Sequence, residues 1–218
     1  MFSIPKKIIF ACILLVLLLV VTFSFGRAYD LGQAKIQADQ QVIQLNNYID
    51  NELARFAAIP QLLIENNVLI RFTNNESQHF NAINNYLADI QQASGASDVY
   101  ILDTHGDVIA SSNWQTDYTF LGSNFAFRPY FKQAFAGEKV AYFALGQRSK
   151  ERGIYFSQAI YLDGKAIGVV ALKTNVAKFE NDRSLLNTSK GSHFYLQLAD
   201  NIIAMSDEPA WRLNSFTE

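Results

Sequence analysis

Residues 124–173 read NFAFRPYFKQAFAGEKVAYFALGQRSKERGIYFSQAIYLDGKAIGVVALK. Pro129 suits the first turn of a helix over 129–136, and Gly137 closes it. Three apolar runs follow, VAYFALG (140–146), GIYFSQAIYL (153–162) and AIGVVALK (166–173), separated by turn residues. Asp163-Gly164 between the last two is a strong two-residue hairpin signal. Strands in sequence, joined by tight turns and preceded by helices, make the class α+β with an antiparallel sheet. The stretch also sets three cations, Arg128, Arg152 and Lys173, at the edges of apolar elements. Arg and Lys are almost never buried without a partner. No sequence neighbour is committed to all three, so an external anion is the natural partner, and a planar carboxylate fits the guanidinium fork.

Upstream, DVYILD (98–103), the turn THGD and VIASS (108–112) predict a hairpin, with Gly106 at the turn. Residues 113–122 form an aromatic loop with Trp114, Tyr118 and Phe120. A helix over 77–93, with Phe80, Ile83, Tyr86, Leu87 and Ile90 on one face, ends at Ser94-Gly95. Earlier still, 27–59 reads as one long helix whose apolar residues Leu31, Ala38, Val42, Leu45, Ile49, Leu53 and Phe56 are spaced mostly by three, four and seven. That stripe packs either on the domain or on a second copy of the helix, as in a homodimer. Pro60 is expected to break or restart it, with a short helix over 61–70.

Residues 8–25, IIFACILLVLLLVVTFSF, are an apolar run of 18. At about 1.5 Å per residue, this run and its flanks nearly span a hydrocarbon core of roughly 30 Å. Lys6 and Lys7 precede it, which places the N-terminus in the cytoplasm. A cleavable signal peptide is the competing reading. The run is long for that, and SFGRAYDLGQ offers no A-x-A cleavage site. The single cysteine, Cys12, lies inside the run, so the exported part has no disulfide and depends on its core. A net charge of −2 without a basic run argues against nucleic acid as partner.

After a helix over 175–182 and the polar linker SLLNTSKGS (184–192), a second and shorter run of strands appears: HFYLQLA, the turn Asp200-Asn201, IIAMS, and then Trp211. It repeats the order of the first hairpin. This piece is expected to be marginal, since a lone hairpin is barely stable in water.

Four segments together carry a resemblance: SSNW (111–114), GSNFAFRPYFKQAFAG (122–137), YFALGQRSKERGIYFSQAI (142–160) and GVVALK (168–173). In combination they resemble the sensor domain of C4-dicarboxylate sensor histidine kinases of the DctB type. The resemblance implies a periplasmic double Cache (PAS-like) fold anchored in a bacterial inner membrane by a single pass. The expected division is a cytoplasmic N-terminus (1–7), a transmembrane helix (8–26), a stalk and shorter helices (27–95), a Cache unit (96–183), and a linker with the start of a second PAS-like unit (184–218). The chain is expected to be truncated before the second membrane span and the kinase, and therefore not itself an enzyme. It has no G-x-S-x-G, P-loop or H-E-x-x-H, and Asp103 and Asp107 read as turn residues rather than a catalytic pair.

On the resemblance, Arg128 grips a carboxylate and Tyr130 adds a hydroxyl, while Arg152, Tyr155 and Lys173 complete the pocket. Against this stand plainer readings: a guanidinium snorkelling at a helix start, a loop arginine paired with Glu151, and a strand-end lysine in solvent. Period two puts Arg152, Ile154 and Phe156 on one strand face and Gly153, Tyr155 and Ser157 on the other, unless Arg152 belongs to the turn. Ser111, Ser112, Asn113, Asn124 and Ser149 are candidates for short polar contacts, each also a good turn former. His79, His105 and His193 lack metal-ligand spacing, so neither a metal nor a cofactor is expected.

The expected ligand is a small C4-dicarboxylate such as succinate, fumarate or malate. The loop ALGQRSKERG departs from the family pattern by the extra charges of Arg148 and Lys150. Amino-acid-binding Cache domains have Trp where Tyr130 stands and an acid on the later strand, which GIYFSQAIYL lacks. The other open readings are the sensor of a chemoreceptor or cyclase, and a ligand-free anchored interaction module.

Overall fold

The computed structural model describes residues 6–75, 79–181 and 193–215. The chain divides into two compact units, Met1–Tyr48 and Ile49–Glu218. Helix α1 (Lys6–Ile64) supplies all the described structure of the first unit and enters the second. Within the first unit, Leu14 to Val21 are exposed on every side of the helix. The helix is long and apolar enough to cross a membrane, with a mean hydropathy of 1.8 over its most apolar window. Its one threonine, Thr22, turns its hydroxyl back onto the Leu18 and Leu19 carbonyls at 3.0 Å, so the apolar run carries no unsatisfied hydroxyl there.

In the second unit α1 buries Ile49, Phe56 and Leu63, seven residues apart on one face. The helix runs on through Pro60, contrary to the break expected there. The helix ends four residues later, at Ile64. Asn66 accepts the Val68 amide and starts α2 (Asn67–Thr73) by capping it, which an interior proline does not do. Helix α3 (Phe80–Ser94) ends at Gly95 in the left-handed conformation, as the Ser-Gly pair predicts. The expected start of that helix at 77 falls outside the described residues.

Five strands form one antiparallel sheet: β1 (Asp98–Asp103), β2 (Val108–Ser111), β3 (Val140–Leu145), β4 (Arg152–Leu162) and β5 (Lys165–Asn175), in the order β2-β1-β5-β4-β3. Asp163 and Gly164 turn β4 into β5 with φ of 50° and 76°, the twist that a two-residue hairpin requires. Asp103 accepts the His105 and Asp107 amides and so closes the β1–β2 turn.

Alternation splits the sheet into two apolar faces. Val99, Ile101, Phe156, Val170 and Leu172 face the helices, where Phe56 of α1 stacks on Phe156 at 6.2 Å. Tyr100, Leu102, Tyr155, Val169 and Ala171 join a separate core with Phe120, Phe125 and helix α4 (Pro129–Phe135).

Past β5, α5 (Val176–Glu180) leads to a hairpin of β6 (Tyr195–Gln197) and β7 (Ile203–Ser206), then a 3-10 turn at Pro209–Trp211. The linker 184–192 lies outside the described residues. The hairpin is not left to itself: β7 is fully buried, packs on α5, and is bonded through Glu180.

Candidate functional site

The core under α4 contains a small cavity lined by Tyr100, Phe125, Arg128, Tyr130, Arg148 and Tyr155, with Phe120, Gly146, Gln147 and Ser149 around them. Strand pairing builds its floor. Asp98, Lys173 and Tyr155 are register partners across β1, β5 and β4, and so are Tyr100, Ala171 and Ser157 one step along. Helix α4 is set over this floor by Ser157, whose hydroxyl donates to the Tyr130 carbonyl at 2.9 Å.

Tyr130 is buried and stacks on Tyr155 with ring centres 4.8 Å apart and planes within 4°. Its hydroxyl accepts from Tyr100 at 2.8 Å, which leaves its own proton to donate onward. Burial raises the Tyr100 and Tyr130 hydroxyls far above the ordinary phenol range. Burial also pushes Tyr155 up to about 12, against the pull of Arg128. All three hydroxyls therefore stay protonated, and so remain donors, at any physiological pH.

Arg128 occupies the N-cap position of α4 with extended backbone, the conformation a residue before proline is driven to. Its side chain makes no cap bond, since a cation gains nothing at the positive end of a helix. The guanidinium lies over the Phe127 ring and donates from Nη2 to the Leu145 carbonyl at 3.1 Å. The turn from β3 to β4 closes the cavity. It is held by its own bonds, Gly146 N to Glu151 O and Lys150 N to Gly146 O, and by side-chain contacts, among them Asn175 Nδ2 donating to Glu151 Oε2 at 3.0 Å. Lys173 Nζ donates to Ser149 Oγ at 2.7 Å, and Arg148 Nη1 donates to Ser123 Oγ at 2.8 Å.

Lys173 is only 1% exposed, far from the solvated strand-end lysine of the plainer reading. Gly153 makes room for it, because a Cβ there would stand 2.8 Å from Lys173 Cε. Glu151 lies 3.8 Å from its ammonium. Burial raises the Asp98 carboxyl above its usual range, opposed by the positive charge of Lys173 and the bond from Asn113.

Of the residues singled out in the sequence, Arg128, Tyr130, Tyr155 and Ser149 line the cavity, and Lys173 touches it through Ser149. Arg152 requires a correction. It opens β4 as a true strand residue, so alternation turns it to the face away from Tyr155. There it forms a two-pronged pair with Glu180 of α5 at 2.7 and 2.8 Å and donates to the Ala204 carbonyl. Its partner is thus not Glu151 either.

Ser112, Asn113 and Asn124 also stand outside the cavity lining and hold loops. Ser112 Oγ accepts the Val99 amide, and Asn113 bridges Ser111, Asp98 and the Phe120 amide. Asn124 ties the Asp107 turn to Ala126. The sequence reading missed Tyr100, Phe125 and Arg148 as lining residues. Tyr100 was detectable, because period two in DVYILD places it with Asp98 on one face.

The chain is similar to two curated proteins, both C4-dicarboxylate transport sensor proteins DctB. The protein from Pseudomonas aeruginosa is 31% identical over 185 residues, 82% of this chain and 29% of the relative. The protein from Rhizobium meliloti is 28% identical over 214 residues, 94% of this chain and 33% of the relative. The chain therefore spans about a third of the length of these relatives. No protein-family model matches the chain. Among solved structures, the sensor domain of the Vibrio cholerae histidine kinase DctB superposes with a TM-score of 0.75 at 32% identity, covering 84% of this chain and 70% of that one. With 32% identity and a TM-score of 0.75 to that sensor domain, 70% of which it covers, and 31% identity to the Pseudomonas protein, the chain belongs to the family of DctB sensor domains.

Proposed function

We propose that the chain is the extracytoplasmic input module of a membrane-anchored sensor histidine kinase, and that its cavity binds a small C4-dicarboxylate. The observation that carries this reading is the donor-rich wall. Buried tyrosine hydroxyls, the Arg128 guanidinium and the Lys173–Ser149 pair converge on one apolar-floored space. Such a wall suits an anion: charge-assisted hydrogen bonds to a carboxylate are shorter and stronger than those between neutral groups. In the proposed complex Arg128, Tyr130 and Tyr155 hold one carboxylate, and Lys173 and Ser149 border it. The names of the relatives, C4-dicarboxylate transport sensors, support the ligand class.

The cavity volume is about 10 Å³, room for roughly one water. A four-carbon diacid enters only when the turn over residues 146–151 swings out. Of the side-chain bonds that hold the turn, Lys173–Ser149 and Arg148–Ser123 run from a cation to a hydroxyl, while Asn175 donates to the Glu151 carboxylate at 3.0 Å. An incoming carboxylate competes well for both cations, because it is the stronger acceptor.

Calorimetric titration of the purified chain in detergent with succinate, fumarate and malate tests the reading. Losing one partner of a buried charged hydrogen bond costs roughly 1.5–3 kcal/mol, and about 1.4 kcal/mol is tenfold in affinity. Arg128→Ala should thus weaken the dicarboxylate at least about tenfold. Equal binding by wild type and Arg128→Ala refutes the site. No binding by wild type refutes the ligand class. The topology is tested by a periplasm-active reporter fused after Glu218, which should be active. An inactive one, with a cytoplasmic reporter active instead, refutes the exported placement.

A further inference from the structure

Among the described residues, the charges around the cavity do not balance. Arg152 is neutralised by Glu180, and Lys173 has Glu151 at 3.8 Å and Asp98 opposite it in the strand register. Arg128 and Arg148 line the cavity without a carboxylate partner among the described residues. Arg128 spends one donor on the Leu145 carbonyl, and Arg148 spends one on the Ser123 hydroxyl. A guanidinium has five N–H donors, so both retain most of their capacity.

The two arginines reach the cavity from different elements, Arg128 from the start of α4 and Arg148 from the turn between β3 and β4. Two unpaired guanidiniums on separate walls of one cavity match two negative charges on one small ligand. Resting on the proposed function, we infer that Arg148 binds the ligand's second carboxylate and sets the preference for a dianion over a monoanion. On the resemblance, Arg152 was the second arginine expected in the pocket. Arg148 is exposed and sits on the turn that must move for entry, so it meets the ligand as the turn closes. Its bond to Ser123 then acts as a resting tether, given up when a carboxylate offers the better acceptor. Lysine at this position keeps the charge but cannot reproduce the fork.

The test compares succinate with butyrate, the monoacid of equal chain length, on the purified chain in detergent. In wild type succinate should bind more tightly. Arg148→Gln should lower succinate affinity about tenfold or more and leave butyrate within about twofold, so that the preference collapses. Arg148→Lys should fall between. Arg128→Gln should weaken both ligands. Ser123→Ala removes the tether but keeps the charge, and should hold succinate within about threefold of wild type. The melting temperature of the Arg148 variants without ligand should match wild type, since Arg148 is exposed.

A wild-type chain that prefers succinate, with an Arg148→Gln variant that keeps the same preference, overturns the inference and leaves the proposed function standing. Loss of succinate in Ser123→Ala as large as in Arg148→Gln also overturns it, because Arg148 then acts only through its tether. Failure of wild type to bind any dicarboxylate overturns the proposed function, and this inference with it.

Discussion

Removing Glu180 should loosen the C-terminal hairpin before anything else. The Glu180 side chain is 1% exposed; three donors bond its two oxygens, and the Arg212 guanidinium, whose Nε donates to the Ser206 carbonyl, lies beside them. Arg152 contributes Nη1 at 2.7 Å and Nη2 at 2.8 Å, the Ser206 amide lies at 3.0 Å, and Arg212 Nε at 3.3 Å. Glu180→Ala leaves Arg152, whose side chain is 14% exposed, with a charge and no counterion. Breaking a buried pair from one side typically costs about 3–5 kcal/mol, a large part of a total stability of roughly 5–15 kcal/mol. The loss cannot exceed the free energy of undocking the segment that Glu180 holds, so the effect should be local. Trp211 reports on that segment and Trp114 on the loop over the sheet. In urea titrations of single-tryptophan forms of the chain, Glu180→Ala should shift the Trp211 transition to much lower urea and the Trp114 transition by less. Replacing both partners, Arg152→Met with Glu180→Leu, should recover much of the loss, since no charge is stranded. A Trp211 transition in Glu180→Ala within about 1 kcal/mol of wild type would show that the cluster is solvated and the reasoning wrong.

Two further outcomes are expected. Gly153→Ala places a Cβ 2.8 Å from Lys173 Cε and 3.2 Å from the Thr174 carbonyl, and the latter is backbone that cannot swing aside. Overpacking of this kind costs about 1–3 kcal/mol, so both the urea midpoint and dicarboxylate affinity should drop; wild-type values for both would exclude the crowding. Asp98 holds its proton more tightly folded than unfolded, because burial outweighs Lys173 and Asn113. The stability it contributes is complete below about pH 3.8, its unfolded value, and is lost as pH rises through the raised folded value. Asp98→Asn should flatten that limb of a melting-temperature profile against pH, and an unchanged slope assigns it to another group.

The fold was largely legible because its signals are local. Period-two runs in 98–112 and 140–173, the Asp163-Gly164 turn and the Ser94-Gly95 helix end each lie within a few residues of what they determine. The helix boundary near Pro60 was misplaced for a related reason. A proline announces itself in a sequence, whereas the cap that starts the next helix, Asn66, looks like any polar residue until its side chain meets Val68 N. The small polar residues of the site show the same limit. Ser112 serves the Val99 amide and Asn113 the Phe120 amide, and those distances exist only once the sheet is formed.

The arginines show where sequence reading stops. Arg128, Arg148 and Arg152 stand within one stretch, all three beside aromatic or turn residues, and nothing local separates a guanidinium that is already paired from one that waits for a ligand. The discriminating groups are distant: Glu180 is 28 residues beyond Arg152, and Ala204 is 52. Strand alternation turns Arg152 toward them and away from Tyr155, so its charge is spent on joining β4 to the hairpin. Arg148 becomes a cavity residue only through the curl of the turn between β3 and β4, where Lys150 takes a φ of 56°. On the proposed function, the ligand preference of the domain follows from which cations lack a carboxylate among the described residues, and by that criterion Arg128 and Arg148 are the pair to test.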